Sequence, residues 1–406
     1  MNPDFVEEKI EKCFGCSNAK CMTGCPLNME IPNIIKFVKN DDLESAYKKI
    51  LEKSYFGPVC SRVCPHESQC EGECVRGIAS APVDISEIEK YVSDWGLKNI
   101  KEEMCPITLE KVAVIGSGPA GLTCAIELRR RGYAVTIFER ESELGGILRF
   151  GIPEYRLPNK IVDKVIENIL QHDIKVEINK TYGVDFTVQD LEAQGFKAAF
   201  LGIGNDMPKF LNIPGTELKG VYGANEFLRH IDEINFERVI VVGGGNVAMD
   251  VSRMAKLKGA TEVTVVYRKA KMMMKANKLE IEHAEKEGIK FKFESLPVEI
   301  VGNETVDGII CNDGDTLIAD TVIMAIGSLP NYEQLDENIE LSDDSLIQVD
   351  ENGETNIAGV FAGGDLIERR ATVCAAVKSA RVAAEGIDKK LRMQENKLLE
   401  EINENL

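Results

Sequence analysis

Two strand–glycine-turn–helix patterns and a cysteine-dense start predict an α/β protein with two Rossmann-like dinucleotide-binding domains preceded by an α-helical domain. Val112-Ala113-Val114-Ile115 and Val239-Ile240-Val241-Val242 are apolar runs of buried-strand type, each followed at once by a glycine-rich turn and a helical pattern. Eight of the 12 cysteines lie between Cys13 and Cys74, so the first hundred residues follow a different chemistry from the rest. The 406 residues suffice for two or three domains at roughly 150 residues each.

The start of the chain has no basic segment leading into an apolar one, and no stretch approaches 18 apolar residues. A secretory signal and membrane insertion are not expected, and the chain reads as cytoplasmic. There thiols stay reduced, so clustered cysteines read as metal ligands before disulfides. The 67 acidic residues against 48 basic ones give a net charge of −19, which argues against binding nucleic acid.

Within the cysteine-rich part, Ile31 to Lys39 and Asp41 to Lys53 read as two short helices, the second capped by Asp41 or Asp42. They separate Cys13-x2-Cys16-x4-Cys21-x3-Cys25-Pro26 from Cys60-x3-Cys64-Pro65-x4-Cys70-x3-Cys74. Eight thiolates suit two four-iron clusters or two zinc ions. The Cys-Pro endings resemble bacterial ferredoxin runs, which favours iron. Residues 101–110 form a polar connector.

The first glycine turn is Gly116-Ser117-Gly118-Pro119-Ala120-Gly121, opening a helix from Leu122 to Arg131. Gly116 makes the turn, Gly118 admits a pyrophosphate to the backbone, and Gly121 lets helix and strand pack closely. The pyrophosphate sits on the free N–H groups of the helix start. A second strand, Ala134 to Phe138, ends at Glu139, placed to accept a hydrogen bond from a ribose 2′-OH.

The second turn is Gly243-Gly244-Gly245-Asn246-Val247-Ala248, with Ala as the third small residue. Its following strand, Glu262 to Val266, runs into Tyr267-Arg268-Lys269, with no acid at the ribose position. Five basic residues and no acidic ones lie from Arg268 to Lys278. A 2′-phosphate asks for cations there; a solvated basic helix face is the alternative. The first fold is read as binding FAD, the second as preferring NADPH to NADH.

No Cys-x2-Cys or Cys-x4-Cys pair follows residue 74, so no redox disulfide is expected beside the flavin. Cys124, Cys311 and Cys374 read as packed structural thiols. The N-terminal cysteines are then the electron exit. Among His66, His172, His230 and His283 no acid–base pair stands out, and His66 reads as lying outside the ligand shell or at the surface. The tail from Ile387 to Leu406 reads as a charged helix with Ile387, Leu391, Leu398 and Ile402 on one face.

These motifs resemble the small, NADPH-oxidising subunit family of bacterial glutamate synthase. Relatives of that family include the N-terminal half of dihydropyrimidine dehydrogenase and the large subunit of NADH-dependent ferredoxin–NADP oxidoreductase. The resemblance covers nearly the whole chain. It rests on the two cysteine groups, the string Gly145 to Pro158, Gly243 to Asp250, Ala325-Ile326-Gly327, and Gly359 to Asp365. It implies an [4Fe-4S] domain over 1–106 and an FAD domain in two parts, 107–220 and 323–390. It further implies an NAD(P)H domain over 221–322 and a C-terminal helix over 391–406.

By the same resemblance Cys13, Cys16, Cys21 and Cys74 hold one cluster. Cys25, Cys64 and Cys70 hold the other with Glu89 as a non-Cys ligand, leaving Cys60 spare. Read without the resemblance, all eight cysteines serve. Around FAD it places Gly146, Ile147, Arg156 and Asp365, with Arg140, Gly327 and Gly364 beside them. Arg268 and Lys275, with Lys269, hold the 2′-phosphate. The chain departs from the family pattern at Met272-Met273-Met274, where acids and a Met-Pro usually stand. The implied reaction is hydride transfer from NADPH to FAD, then single electrons through two [4Fe-4S] clusters. The acceptor is a larger partner subunit of glutamate synthase type. The alternatives are ferredoxin, or another anaerobic, possibly bifurcating, complex. A third reading is a zinc-stapled flavoprotein scaffold without redox clusters.

Overall fold

The computed structural model describes residues 3–369 and 371–404, and the side chains of 3–5, 398, 399 and 401–404 are outside that description. The chain forms two compact units, one of residues 1–148, 156–204 and 332–406, the other of residues 149–155 and 205–331.

The first unit opens with the helices Pro3–Glu11, Lys20–Gly24, Ile31–Lys39, Leu43–Leu51, Gly57–Val63 and Ile85–Asn99. In Ile31–Lys39 the buried residues Ile31, Ile34, Ile35 and Val38 fall on one helical stripe. The next helix starts at Leu43, where Asp42 Oδ1 accepts from Ser45 N at 3.0 Å. That satisfies one of the free N–H groups of its first turn. The long helix Ile85–Asn99 packs on it at Gly96, where a Cβ would stand 2.0 Å from the Tyr47 ring. Any side chain at position 96 would displace the ring of a residue that is itself 1% exposed.

Past the connector the chain builds a five-stranded parallel sheet. Its strand order is Val360–Ala362, Phe196–Leu201, Lys111–Ile115, Ala134–Phe138, Lys175–Glu177. The expected strand Ala134 to Phe138 is present residue for residue. The first glycine-turn helix spans Pro119–Arg130, three residues earlier than expected, because Pro119 fits the first helical turn where no N–H is needed. The edge strand Val360–Ala362 arrives after the chain returns from the second unit.

The final helix, Val373–Glu404, starts well before Ile387 and packs along Pro119–Arg130. Ile387 and Leu391 are buried as the amphipathic face requires; Leu398 and Ile402 lie outside the described side chains.

The second unit repeats the plan. Its parallel sheet runs Val221–Gly223, Thr321–Met324, Arg238–Val242, Glu262–Tyr267, Lys290–Phe293, again with the glycine-turn strand in the middle. An antiparallel sheet of Pro297–Gly302, Val306–Cys311 and Thr316–Ile318 packs against one face through Ile300, Ile309 and Cys311. In open sheets of this kind ligands bind at the carboxyl ends of the central strands, where both glycine turns lie. Among the described residues no helix is long and apolar enough to cross a membrane.

Candidate functional site: two glycine cradles and two cysteine-lined cavities

At the first cradle, a Cβ on Gly121 would lie 1.8 Å from the Gly116 carbonyl oxygen, so only glycine lets the helix start this close to the strand. Gly118 is different: nothing stands within 4 Å of where its Cβ would be. That open space over a helix N-terminus fits a pyrophosphate. Pro119 and Ala120 form the helix start behind it.

Glu139 is buried at the end of the second strand. Its Oε2 accepts from Ser117 N at 2.8 Å and Ser117 Oγ at 2.5 Å, and its Oε1 accepts from Glu141 N at 3.0 Å. A carboxylate offers about four acceptor positions, so one remains on Oε1 for a ribose hydroxyl. Ser117 Oγ in turn accepts from Gly145 N at 3.0 Å, tying the Gly145–Gly146 turn to the cradle. Gly146, at φ +51°, sits where a Cβ would be 3.0 Å from Gly118 Cα, and Ile147 beside it is exposed.

Gly364 lies on the same helix start, where a Cβ would be 2.9 Å from Ala120 Cβ, and burial raises the neighbouring Asp365 carboxyl to about 6. Arg140 pairs with Glu141 at 3.2 Å, and Arg156 reaches the Val63 carbonyl at 3.5 Å. Gly327 belongs to the second unit, where its carbonyl accepts from Lys209 N at 3.0 Å.

The second cradle has the same form. Gly245 precedes the helix Asn246–Leu257 with open space at its Cβ position, while Ala248 is fully buried and Val247 exposed. The basic segment folds directly onto this turn. Lys275 N and Ala276 N donate to the Gly244 carbonyl at 2.9 and 3.1 Å, and Asn277 N donates to Asn246 Oδ1 at 2.8 Å. Lys271 is used by Glu285 at 2.5 Å. Among the described residues, the exposed side chains of Arg268, Lys269 and Lys275 have no ion-pair or hydrogen-bond partner. Met272, where the family pattern is broken, is 91% exposed on the turn Lys271–Met273.

The helical domain holds two cavities. Cys13, Cys16, Cys21 and Cys74 line one of about 400 Å³, together with Lys12, Phe14, Lys20 and Arg76. Cys25, Cys64, Cys70 and Glu89 line the other, of about 530 Å³, together with Cys60, His66 and Cys374. The sequence-derived sets are thus each gathered around one space. Ile31, Ile35 and Ile85 line both cavities, so a single apolar layer separates them.

Their electrostatics call for positive charge. Burial, then Cys74, Cys13 and Cys16, pushes the Cys21 thiol up to about 11; burial pushes Cys25 to about 12 and Cys70 higher. Burial, with Cys374 and Glu71 adding, raises the Glu89 carboxyl to about 8. Thiolates become affordable in such walls when metal supplies the counter-charge. His66 Nε2 is buried with no hydrogen-bond partner among the described residues, and His66 lines the second cavity. Among the described residues no three Cys, His, Asp or Glu side chains converge on a point for a single ion.

One feature escaped the sequence. Cys374 is buried but not isolated: its thiol contacts Cys64, whose hydrogen bond holds it down to about 6. Its one sequence signal is its place soon after Gly364-Asp365. Cys124 and Cys311 are buried as expected, and Cys105 is exposed.

Fold and site together define a two-dinucleotide-fold oxidoreductase with an iron–sulfur domain. Residues 110–380 match the family model of pyridine nucleotide-disulphide oxidoreductases, and residues 2–101 match that of dihydropyrimidine dehydrogenase domain II, 4Fe-4S cluster. The NAD-dependent dihydropyrimidine dehydrogenase subunit PreT of Escherichia coli K12 is 32% identical, covering 95% of each chain. The glutamate synthase [NADPH] small chain of the same strain is 32% identical, covering 94% of this chain and 90% of the relative. The NADP(+)-dependent formate dehydrogenase subunit beta of Moorella thermoacetica is also 32% identical, over 92% of this chain and 60% of the relative. Lactococcus lactis thioredoxin reductase shares the fold at TM-score 0.59 and 22% identity, over 70% of this chain and all of that one. Mycobacterium tuberculosis FprA in complex with NADPH does so at 0.62 and 18%, over 72% and 86%.

The chain belongs to the pyridine nucleotide-disulphide oxidoreductase family, in the branch carrying an N-terminal 4Fe-4S domain. It is an NAD(P)H-dependent electron-transfer oxidoreductase with FAD and 4Fe-4S cofactors. The zinc-scaffold reading falls with that match.

Proposed function

We propose that this chain is the NADPH-oxidising input subunit of a larger oxidoreductase of glutamate synthase type. When bound, FAD accepts hydride and the clusters carry single electrons onward. The chain's own residues bind, orient and exclude water. In this reading Gly116–Gly121, Glu139, Gly146, Gly364 and Asp365 cradle FAD, with Arg140, Ile147 and Arg156 completing its surroundings. Gly243, Gly245 and the helix start Asn246–Ala248 hold the NADPH pyrophosphate, and Arg268, Lys269 and Lys275 its 2′-phosphate. Cys13, Cys16, Cys21 and Cys74 hold one cluster, and Cys25, Cys64, Cys70 and Glu89 the other. A helical domain over 1–106, an FAD domain in two parts around an NAD(P)H domain over 221–322, and cytoplasmic siting, which suits reduced thiols, belong to the same reading.

The observation that carries it is the back-to-back placing of the cavities on Ile31, Ile35 and Ile85. The inner cavity is the one lined by Cys374, which follows the Gly364–Asp365 segment; the outer one is lined by Phe14, 68% exposed, with Lys12, Lys20 and Arg76. That order runs from flavin to surface, where a partner takes electrons. Relatives named as a small chain or a subunit support such a partner.

A second reading has its own support: relatives named for dihydropyrimidine, glutamate and formate chemistry are equally similar at 32%. The partner in that case belongs to another complex, or is ferredoxin. Glutamine-dependent NADPH oxidation by the co-purified complex supports the first reading. Ferredoxin or low-potential dye reduction without any glutamine dependence replaces it with the second.

A further inference from the structure

Cys374 stands in the first turn of the long helix Val373–Glu404, yet its sulfur faces the inner cysteine cavity. It is 2% exposed and lines that cavity with Cys64. Gln69, between Cys64 and Cys70 in the ligand loop, donates Nε2–H to the Cys374 sulfur at 3.5 Å. Thr372 Oγ1 lies 3.5 Å from that sulfur and also accepts from Ala375 N at 3.3 Å, fixing the helix start. A turn further on, Ser379 Oγ accepts from Gly364 N at 2.8 Å. The thiol is therefore clamped between the Gly364–Asp365 segment and the loop of the second cysteine group.

We propose that Cys374 is a positioning residue for the inner cluster, donating its S–H to the Cys64 sulfur and thereby raising that cluster's reduction potential. The proposal rests on Cys64 being a cluster ligand. A ligating Cys64 is a thiolate with acceptor capacity only, so the proton on the contact belongs to Cys374. Of the three acceptors near that thiol, Thr372 Oγ1, Gln69 Oε1 at 3.7 Å and the Cys64 sulfur that lines the same cavity, only Cys64 then carries full negative charge. Hydrogen bonds to cluster sulfurs stabilise the reduced, more negative state and so set the potential. Cys64 comes from the helical domain and Cys374 from a helix some 300 residues later, so the bond forms only when both are docked.

The test uses full-length protein purified without oxygen, as wild type, Cys374→Val, Cys374→Ser and Cys64→Ala. Iron is counted per chain, and each cluster's potential is measured by redox titration followed by electron paramagnetic resonance. The expected result is full iron in both Cys374 variants. The inner cluster shifts to lower potential in Cys374→Val, recovers most of the shift in Cys374→Ser, and the outer cluster does not move. Wild-type potentials in Cys374→Val overturn the proposal. Loss of about half the iron in both Cys374 variants also overturns it, because Cys374 is then a ligand. Cys64→Ala separates the underlying reading: loss of the inner signal upholds Cys64 as a ligand, and full iron with both signals intact rejects that assignment and the proposal with it.

Discussion

The Arg130 guanidinium lies over the Tyr55 ring, 4.8 Å from its centroid, and both side chains bond to Glu102. Arg130 reaches the carboxylate at 2.8 and 3.1 Å and the Leu51 carbonyl at 3.1 Å. Tyr55 belongs to the helical domain, Glu102 to the connector and Arg130 to the first glycine-turn helix. Three segments distant in sequence are thus pinned by one cation. Arg130→Met keeps much of the volume but leaves Glu102 without its counter-charge. The Arg130 side chain is 18% exposed and that of Glu102 30%, so the loss falls below that of a fully buried pair. A drop of about 2 kcal/mol in unfolding free energy is expected. Urea unfolding of the variant beside wild type measures it; an unchanged midpoint removes the pin.

Glu139 has two duties in the proposed FAD site, holding the glycine turn through Ser117 and keeping one acceptor for the ribose. A hydrogen bond to a charged group contributes about 1.5–3 kcal/mol. Glu139→Ala should weaken FAD binding by about 10- to 100-fold on that basis. Ser117→Ala removes only the hydroxyl's bonds to Glu139 and Gly145, keeps the backbone N–H bond and the carboxylate, and should weaken it less. Flavin fluorescence titration of the stripped protein distinguishes them; equal losses assign Glu139 to the turn alone.

Much of this was legible because local pattern and final position agree. The strand Ala134–Phe138 ends at Glu139 by simple alternation of strand and helix, and its residue count puts the acid at the cradle. The grouping of Cys74 with Cys13 was legible through resemblance, not spacing. Cys374 was not legible, since no local signal announces a neighbour some 300 residues away; only the packing of its helix creates one. That helix was also read too short. From Val373 to Ala384 it is rich in Ala and Val, with Val373, Ala375, Ala376, Val377, Ala380, Ala383 and Ala384 all buried, so little amphipathic stripe marks its start.

The inner cavity holds more donors than one cluster needs, and the resemblance leaves Cys60 spare. Cys60 precedes Cys64 by one helical turn, and its thiol bonds to that of Cys64. Cys60→Ser should therefore keep the iron of wild type, while Cys64→Ala should lose about four irons per chain. Iron and sulfide analysis decides it. Equal loss in both variants restores Cys60 to the ligand set.

Glu89 gives the metal-free protein a pH signature. Its carboxyl is raised from 4.5 to about 8 by burial, so the folded state prefers it protonated. Below pH 4.5 the proton is present in both states and nothing is lost. Between there and about pH 8 the unfolded chain gives the proton up more readily, so folding stability falls as pH rises. Urea midpoints of chelator-stripped protein at pH 5 and pH 8 should differ in that direction. Glu89→Gln should flatten the difference, and a slope unchanged by that substitution assigns it to other groups.

Nucleotide choice is the last test, and it turns on side chains left free beside the second cradle. The segment from Lys275 to Asn277 is bonded to Gly244 and Asn246, so Lys275 is held at the turn, with Arg268 just past the end of the adjoining strand. In a chain of net charge −19, free cations here have a use if a phosphate arrives. NADPH brings one on its ribose and NADH does not. Each cation contacting a phosphate contributes about 1.5–3 kcal/mol, so Arg268→Ala with Lys275→Ala should raise the KM for NADPH by at least about 10-fold. The KM for NADH should change little, and kcat with either should hold, since neither side chain is assigned to the reacting ring. Steady-state rates with both nucleotides and a dye acceptor measure this. Equal increases for NADPH and NADH assign the cluster to general electrostatic attraction and leave the preference without a site.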